Sequence, residues 1–146
     1  MVRGARLLGW SFDNRDAHRV YIRDPTGRRL TLTVLAVIEF TSDRKRMSVV
    51  VRHPDGRTFL YCKGSDAVLL ERCAAADSDN PHRRRIVAQL EAFGRAGFRT
   101  LCFAMRELGE EMLGTWLAEY AAASATVNDR QAAIDAAAAN IECELR

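Results

Sequence analysis

Val37-Ile-Glu-Phe-Thr-Ser-Asp-Arg-Lys-Arg-Met-Ser-Val-Val-Val-Arg52 decides how this chain folds. An apolar, β-branched run arrives from Arg29 and ends at Phe40. Polar and charged residues follow, and then Met47, Val49 and Val51 alternate along one face of a second run. The pattern predicts strands over Arg29–Phe40 and Arg46–His53. Working outward, His53-Pro-Asp-Gly56 supplies a hairpin turn, and Thr58–Lys63 returns antiparallel. Upstream, Asp24-Pro-Thr-Gly27 is a turn, with Pro fixing φ and Gly accepting positive φ. It follows a strand at Arg19–Arg23. Trp10 and Phe12 begin an extended segment, behind a helix end over residues 2–9 closed by Gly9.

The second half reads mainly as helix. Ser65 can cap a helix running to about Ala75, and residues 76–80 read as a loop. Asn80-Pro81 is a good N-cap and N1 pair. Ile86, Leu90 and Phe93 follow at helical spacing up to Gly97. Arg99–Arg106 alternates as a late strand, with Leu101, Phe103 and Met105 on one side. Glu110 and Glu111 suit a helix N-terminus, and Met112, Leu113, Trp116, Leu117 and Tyr120 make an apolar stripe. Asn128 or Asp129 starts a last helix carrying Ile134, Ala138, Ile141 and Leu145. The class is α+β: an antiparallel twisted β-sheet flanked by helices, with no repeat or linker.

A chain of 146 residues that is 48% hydrophobic suffices for one domain with a real core, so 1–146 is read as one unit. Its 22 basic and 19 acidic residues leave a net charge of +3, which does not by itself imply a nucleic-acid partner. Cys62, Cys73, Cys102 and Cys143 form no CxxC pair and sit among apolar neighbours, so they read as reduced core thiols. His18, His53 and His82 are scattered, and no metal site is expected. The most apolar run, 30–40, is interrupted by Thr31, Thr33 and Glu39 and is too short for a membrane span. Val2-Arg-Gly-Ala-Arg6 is not followed by the apolar core of a signal peptide.

Several features bear on chemistry, each with a plainer reading beside it. Phe40 is a core aromatic at a strand end or a platform on which a purine stacks. Arg44, Lys45 and Arg46 are a solvated loop or a charge aimed at a polyphosphate. Lys63-Gly64 is a strand-to-helix turn, or a place where the missing Cβ of Gly64 admits a ligand. Arg99 is a surface arginine or a phosphate contact. Arg83–Arg85 is a solvated helix face or an interaction patch. No GxxxxGK[ST] loop is present, which excludes P-loop ATPases. No nucleophile–base pair or paired carboxylates stand out, so no catalytic residue is named. In order, Phe40, Lys63 and Arg99 supply the stacking face and cations that a nucleotide needs.

Taken together, these stretches resemble the nucleotide-binding (N) domain of P-type ATPases, most of all its type IV, phospholipid-translocating flippase branch. The match runs through Val2–Trp10, Val37–Arg52, Leu60-Tyr-Cys-Lys-Gly-Ser-Asp66, Phe98-Arg-Thr-Leu-Cys-Phe-Ala104, Trp116, Tyr120 and Asn128-Asp-Arg130. The resemblance implies ATP, with Mg2+ brought by the nucleotide. It implies that Phe40 stacks on adenine, that Lys45 and Met47 lie beside the nucleotide, that Lys63 and Gly64 form the depth and wall of the pocket, and that Arg99, helped by Thr100, reaches the phosphates. It also implies a first N-domain helix cut short, with phosphorylation, actuator and membrane domains as partners outside this chain. The location implied is the cytosolic side of an integral membrane protein. Asp24-Pro-Thr-Gly27 is not the family's phosphorylation loop, because Pro25 stands where Lys is required. Two other readings stay open: a nucleotide-free interaction module, and a basic RNA-binding domain using Arg44–Arg46 and Arg83–Arg85.

Overall fold

A computed structural model of the chain describes residues 2–74 and 80–146. A short helix, α1 (Val2–Leu7), precedes β1 (Ser11–Arg15), β2 (Arg19–Arg23), β3 (Arg29–Ile38), β4 (Arg46–Arg52) and β5 (Thr58–Gly64). Helices α2 (Asp66–Arg72) and α3 (Pro81–Arg95) follow, then β6 (Cys102–Leu108), α4 (Glu110–Ala125) and α5 (Arg130–Ile141). The described strands form one six-stranded antiparallel sheet in the order β1-β2-β3-β4-β5-β6. This is the α+β class expected.

The turns behave as their residues dictate. Gly27 and Gly56 sit at φ +85° and +87° and close their turns onto Asp24 and His53 carbonyls at 2.9 and 3.0 Å. The Asn80 side chain accepts the His82 amide at 2.9 Å, with Pro81 first in α3. Ser65 stands at the N-cap of α2 in extended conformation, but its hydroxyl makes no cap bond.

Helices cover one face of the sheet. Ile38, Val50, Leu60 and Cys62 point to that side and pack with Leu69 of α2, Leu113 and Trp116 of α4, Ile141 of α5 and Leu145. The Trp116 indole donates to the Ala137 carbonyl at 2.9 Å, tying α4 to α5. Tyr120 stacks on Trp116 and donates to the Val37 carbonyl at 2.8 Å, tying α4 to β3.

Several boundaries differ from expectation, and four of them have a physical reason. β3 stops at Ile38, the partner of Ser48, so Phe40 lies beyond the ladder. There the Glu39 carbonyl turns to accept the Arg44 guanidinium at 2.9 Å instead of a strand partner. β6 starts at Cys102, not Arg99, because its partner Gly64 is the last residue of β5 and Ser65 already begins the turn into α2. α2 ends at Arg72, and extended Cys73 pairs with Leu145 in a parallel bridge; Ala75 and most of the 76–80 loop lie outside the described residues. α5 ends at Ile141, so Leu145 reaches the core from the tail and not from a helix.

Gly64 shows how tightly β4 and β5 meet at their ends. A Cβ there would lie 2.7 Å from both the Arg46 Cβ and the Lys45 carbonyl oxygen. Neither atom is the free end of a flexible side chain, so the strands must shift. Gly64→Ala is expected to lower stability by about 1–3 kcal/mol, the usual cost of overpacking, read as a drop in the urea midpoint at unchanged m-value.

Candidate nucleotide site

The sheet face opposite the helices carries Met47 and Lys63. Met47 of β4 pairs with Lys63 of β5, which pairs with Phe103 of β6. Antiparallel partners share a face, so these three side chains form a row across three strands. The next row on that face is Val37, Val49, Tyr61 and Met105. Ser48, Cys62 and Ala104 alternate with them and turn to the helices, which fixes the row's outward direction. Met47 and Lys63 are half-buried, while Phe103 is 66% exposed.

The remaining sequence-predicted residues gather at the same end of the sheet. The end of β3, the start of β4, the end of β5 and the start of β6 all lie there. Phe40 follows β3 and is 59% exposed, so it is not a core aromatic. Lys45 is exposed just before β4. Exposed Arg99 and half-buried Thr100 lie in the segment leading into β6. Among the described residues, Lys45, Lys63 and Arg99 have no ion-pair partner. Three cations and a bare aromatic therefore stand at one edge of an open, partly apolar face. That combination can hold a flat ring and a polyanion at once. Gly64 adds something different from what its type suggested: the close approach it allows here is that of Lys45 and Arg46. Among the described residues no group of three or more His, Cys, Asp or Glu could hold a metal ion.

The basic run divides in two. Arg44 and Arg46 are only 4% and 5% exposed, and both reach Glu142, which is fully buried. Arg44 Nη2 donates to Glu142 Oε1, Arg46 Nε to Glu142 Oε2 at 2.7 Å, and Ser48 Oγ to Oε1 at 2.6 Å. Arg44 Nε also lies 3.4 Å from Asp135. Two of the six arginine and lysine residues assigned to an RNA surface are thus inside the protein. Arg83 of the second cluster donates to the Leu70 carbonyl at 3.0 Å.

Sequence reasoning missed Glu142 and Phe103. Glu142 follows Ile141 at the end of an alanine-rich helix, where a charge reads as solvated. The available signal was alternation on β4: if Met47 and Val49 share one face, Arg46, Ser48 and Val50 share the other, and buried arginines need an acid. Phe103 was visible as sharing one side of a strand with Leu101 and Met105, but which side faces away from the helices came only from the register of β4 to β6.

Comparisons with known proteins place the chain in a family. Residues 17–146 match the family described as P-type ATPase, cytoplasmic domain N. The chain belongs to that family. It is 38% identical over 146 residues to phospholipid-transporting ATPase IC of Xenopus tropicalis, covering 100% of this chain and 11% of the relative. It is 37% identical over 145 residues to phospholipid-transporting ATPase IC of Homo sapiens, covering 99% of this chain and 11% of that protein. Against phospholipid-transporting ATPase DNF1 of Chaetomium thermophilum, identity is 41% over 119 residues, 82% of this chain and 8% of the relative. Within the family, the similarity is therefore to the phospholipid-transporting, type IV branch. The chain spans about a tenth of the length of these relatives. No described helix is long and apolar enough to cross a membrane.

Glu142 also makes a pH prediction. Burial pushes its carboxyl up, but hydrogen bonds from Arg44 and Ser48 and the charges of Arg44 and Arg46 outweigh this, and the net direction is downward from the ordinary 4.5. A carboxylate held low contributes stability that is complete above its unfolded pKa and lost as pH falls through its folded pKa. Urea midpoints followed from pH 6 downward are expected to drop steeply below about 4.5. In Glu142→Ala the drop should be shallower. That variant should start about 3–5 kcal/mol less stable at neutral pH, since it leaves two guanidinium groups buried without their acid.

Proposed function

We propose that this domain binds MgATP and serves as the nucleotide-binding part of a phospholipid-transporting P-type ATPase. The observation that carries this reading is the exposed Phe40 at the same end of the sheet as Lys45, Lys63 and Arg99, which have no ion-pair partner among the described residues, with the Met47–Lys63–Phe103 row leading to it. Phe40 would take one face of the adenine, with Met47 and Phe103 beside it as apolar surface. Lys63, half-buried in the row, would meet the deeper part of the nucleotide as a point charge. Arg99 and Lys45, further out, would take the phosphates, with the Thr100 hydroxyl as an added donor. Mg2+ would arrive with the phosphates.

Nothing in this arrangement attacks or deprotonates a phosphate. The domain's part in phosphoryl transfer would be positioning: holding the triphosphate so that its γ-phosphoryl meets an aspartate on a separate phosphorylation domain. Binding on an exposed sheet face suits that role, because the outer phosphates remain open to another domain. Closure of the two domains would complete the site. In that setting the domain lies on the cytosolic side of an integral membrane protein, with phosphorylation, actuator and membrane domains as its partners. The unit 1–146 is read as this one domain.

Phe40→Ala separates this reading from its rival, a nucleotide-free interaction module. Because the ring is exposed, its loss should leave the melting temperature nearly unchanged, within about 0.5 kcal/mol of stability. It should weaken MgATP by about 1–3 kcal/mol, roughly tenfold or more in Kd, measured by isothermal titration calorimetry. Equal affinity in mutant and parent would remove Phe40 from the pocket. No heat and no ATP-induced rise in melting temperature at millimolar nucleotide would favour the interaction module.

A further inference from the structure

We propose that Glu142 is a positioning residue for the nucleotide site, which it serves by fixing the turn that presents Lys45 and Met47. The proposal rests on the MgATP reading for what the turn presents; the turn's own geometry is independent of it.

The key feature is the backbone of Lys45, which has φ +52°. A side chain with a Cβ is crowded in this left-handed region, and such a residue persists there when its surroundings over-determine it. The surroundings here are specific. The Lys45 amide donates to the Thr41 carbonyl at 2.9 Å, and its own carbonyl accepts the Ser65 amide at 3.0 Å. On either side, Arg44 and Arg46 turn inward to the two oxygens of one carboxylate. With both neighbours drawn into the core, Lys45 between them is left outside.

The same carboxylate pins both stems of the loop. Arg44, held by Glu142, donates Nη1 to the Glu39 carbonyl at 2.9 Å, next to Phe40. Arg46, also held by Glu142, donates Nη1 to the Arg44 carbonyl at 3.1 Å and leads directly into Met47. Ser48 adds a third donor from the same strand, two residues on. Glu142 thus touches no residue of the candidate pocket, yet it holds the residues on both sides of Lys45. Charge is essential to this role. A neutral amide offers one accepting oxygen and one NH2 group, and the NH2 group would face a guanidinium donor. One of the two arms must then let go.

The test uses the 146-residue chain, labelled with 15N and 13C, and Glu142→Gln. All measurements are made well below the variant's melting temperature, so that lost stability alone moves nothing. The expected result is a change in the Lys45 HN–Hα coupling and Cα shift away from left-handed values. It should be accompanied by a rise of about tenfold in the MgATP Kd. Glu142→Asp, which restores the charge on a shorter arm, should recover part of both. A folded Glu142→Gln whose Lys45 conformation and MgATP affinity both match the parent would overturn the proposal. If Glu142→Gln does not fold, Arg44→Lys carries the same two readouts, since it keeps the charge but loses the forked contact to Glu142 and Glu39. Parent protein that binds no MgATP would overturn the nucleotide role, while the Lys45 coupling would still report whether the clamp sets the turn.

Discussion

The Glu142 carboxylate is fully buried, and it meets Arg44, Arg46 and Ser48 at once. Taking three charges out of water is costly, and their mutual attraction offsets that cost only when the geometry is good and the remaining donors are satisfied. Most of the donors are satisfied: Arg44 also donates to the Glu39 carbonyl and Arg46 to the Arg44 carbonyl, while Arg44 Nε makes no hydrogen bond among the described residues and lies 3.4 Å from Asp135. The network joins the tail of the last helix to the loop between β3 and β4. The end of β3 at the Glu39 carbonyl and the turn at Lys45 both lie against that junction.

A one-sided sheet is the second constraint. Helices α2, α4 and α5 supply the core for one face, and the other is left with Val37, Met47, Tyr61, Phe103 and Met105 partly in water. The in–out alternation of side chains along each strand therefore produces both core and candidate site. The core uses the inward residues; the site uses the outward ones at the end where four strand termini meet. A ligand that is half aromatic ring and half polyanion fits such a rim, because the sheet offers apolar surface and the connecting segments offer cations. This division also explains why Phe40 and Arg99 lie outside the ladder. A residue inside a strand has its direction set by the pleat, whereas one just beyond it can turn toward the ligand.

Much of this was legible from residues alone. The β-branched runs, the Pro-Gly turns and the Asn80-Pro81 cap located most elements to within a few residues, because each is governed by local sterics. What could not be read locally was where strands lose their partners. Arg99–Leu101 alternates well enough for a strand, yet β5 has already ended at Gly64, and no neighbour remains to pair with it. The basic run was misleading for a related reason. Three adjacent cations look alike in a sequence, but the pleat of β4 sends Arg46 inward, the turn before it buries Arg44 and leaves Lys45 outside, and only an acid almost a hundred positions away decides whether the inward pair is tolerated. Phe40, Lys63 and Arg99 were visible as residue types; that they gather at one edge came from the register of β3 to β6.

Strand order in this sheet follows chain order from β1 to β6. Such a meander is assembled largely from short loops, and β1 to β5 can zip up with little loss of chain entropy at each step. The Glu142 network is different, joining residues 98, 96 and 94 positions apart. It can form only after β6, α4 and α5 have all been laid down. The domain therefore has a natural folding sequence in which the sheet matures first and the rim around Lys45 last. Mutations in the hairpins should mainly alter the folding rate, and mutations in the clamp the unfolding rate.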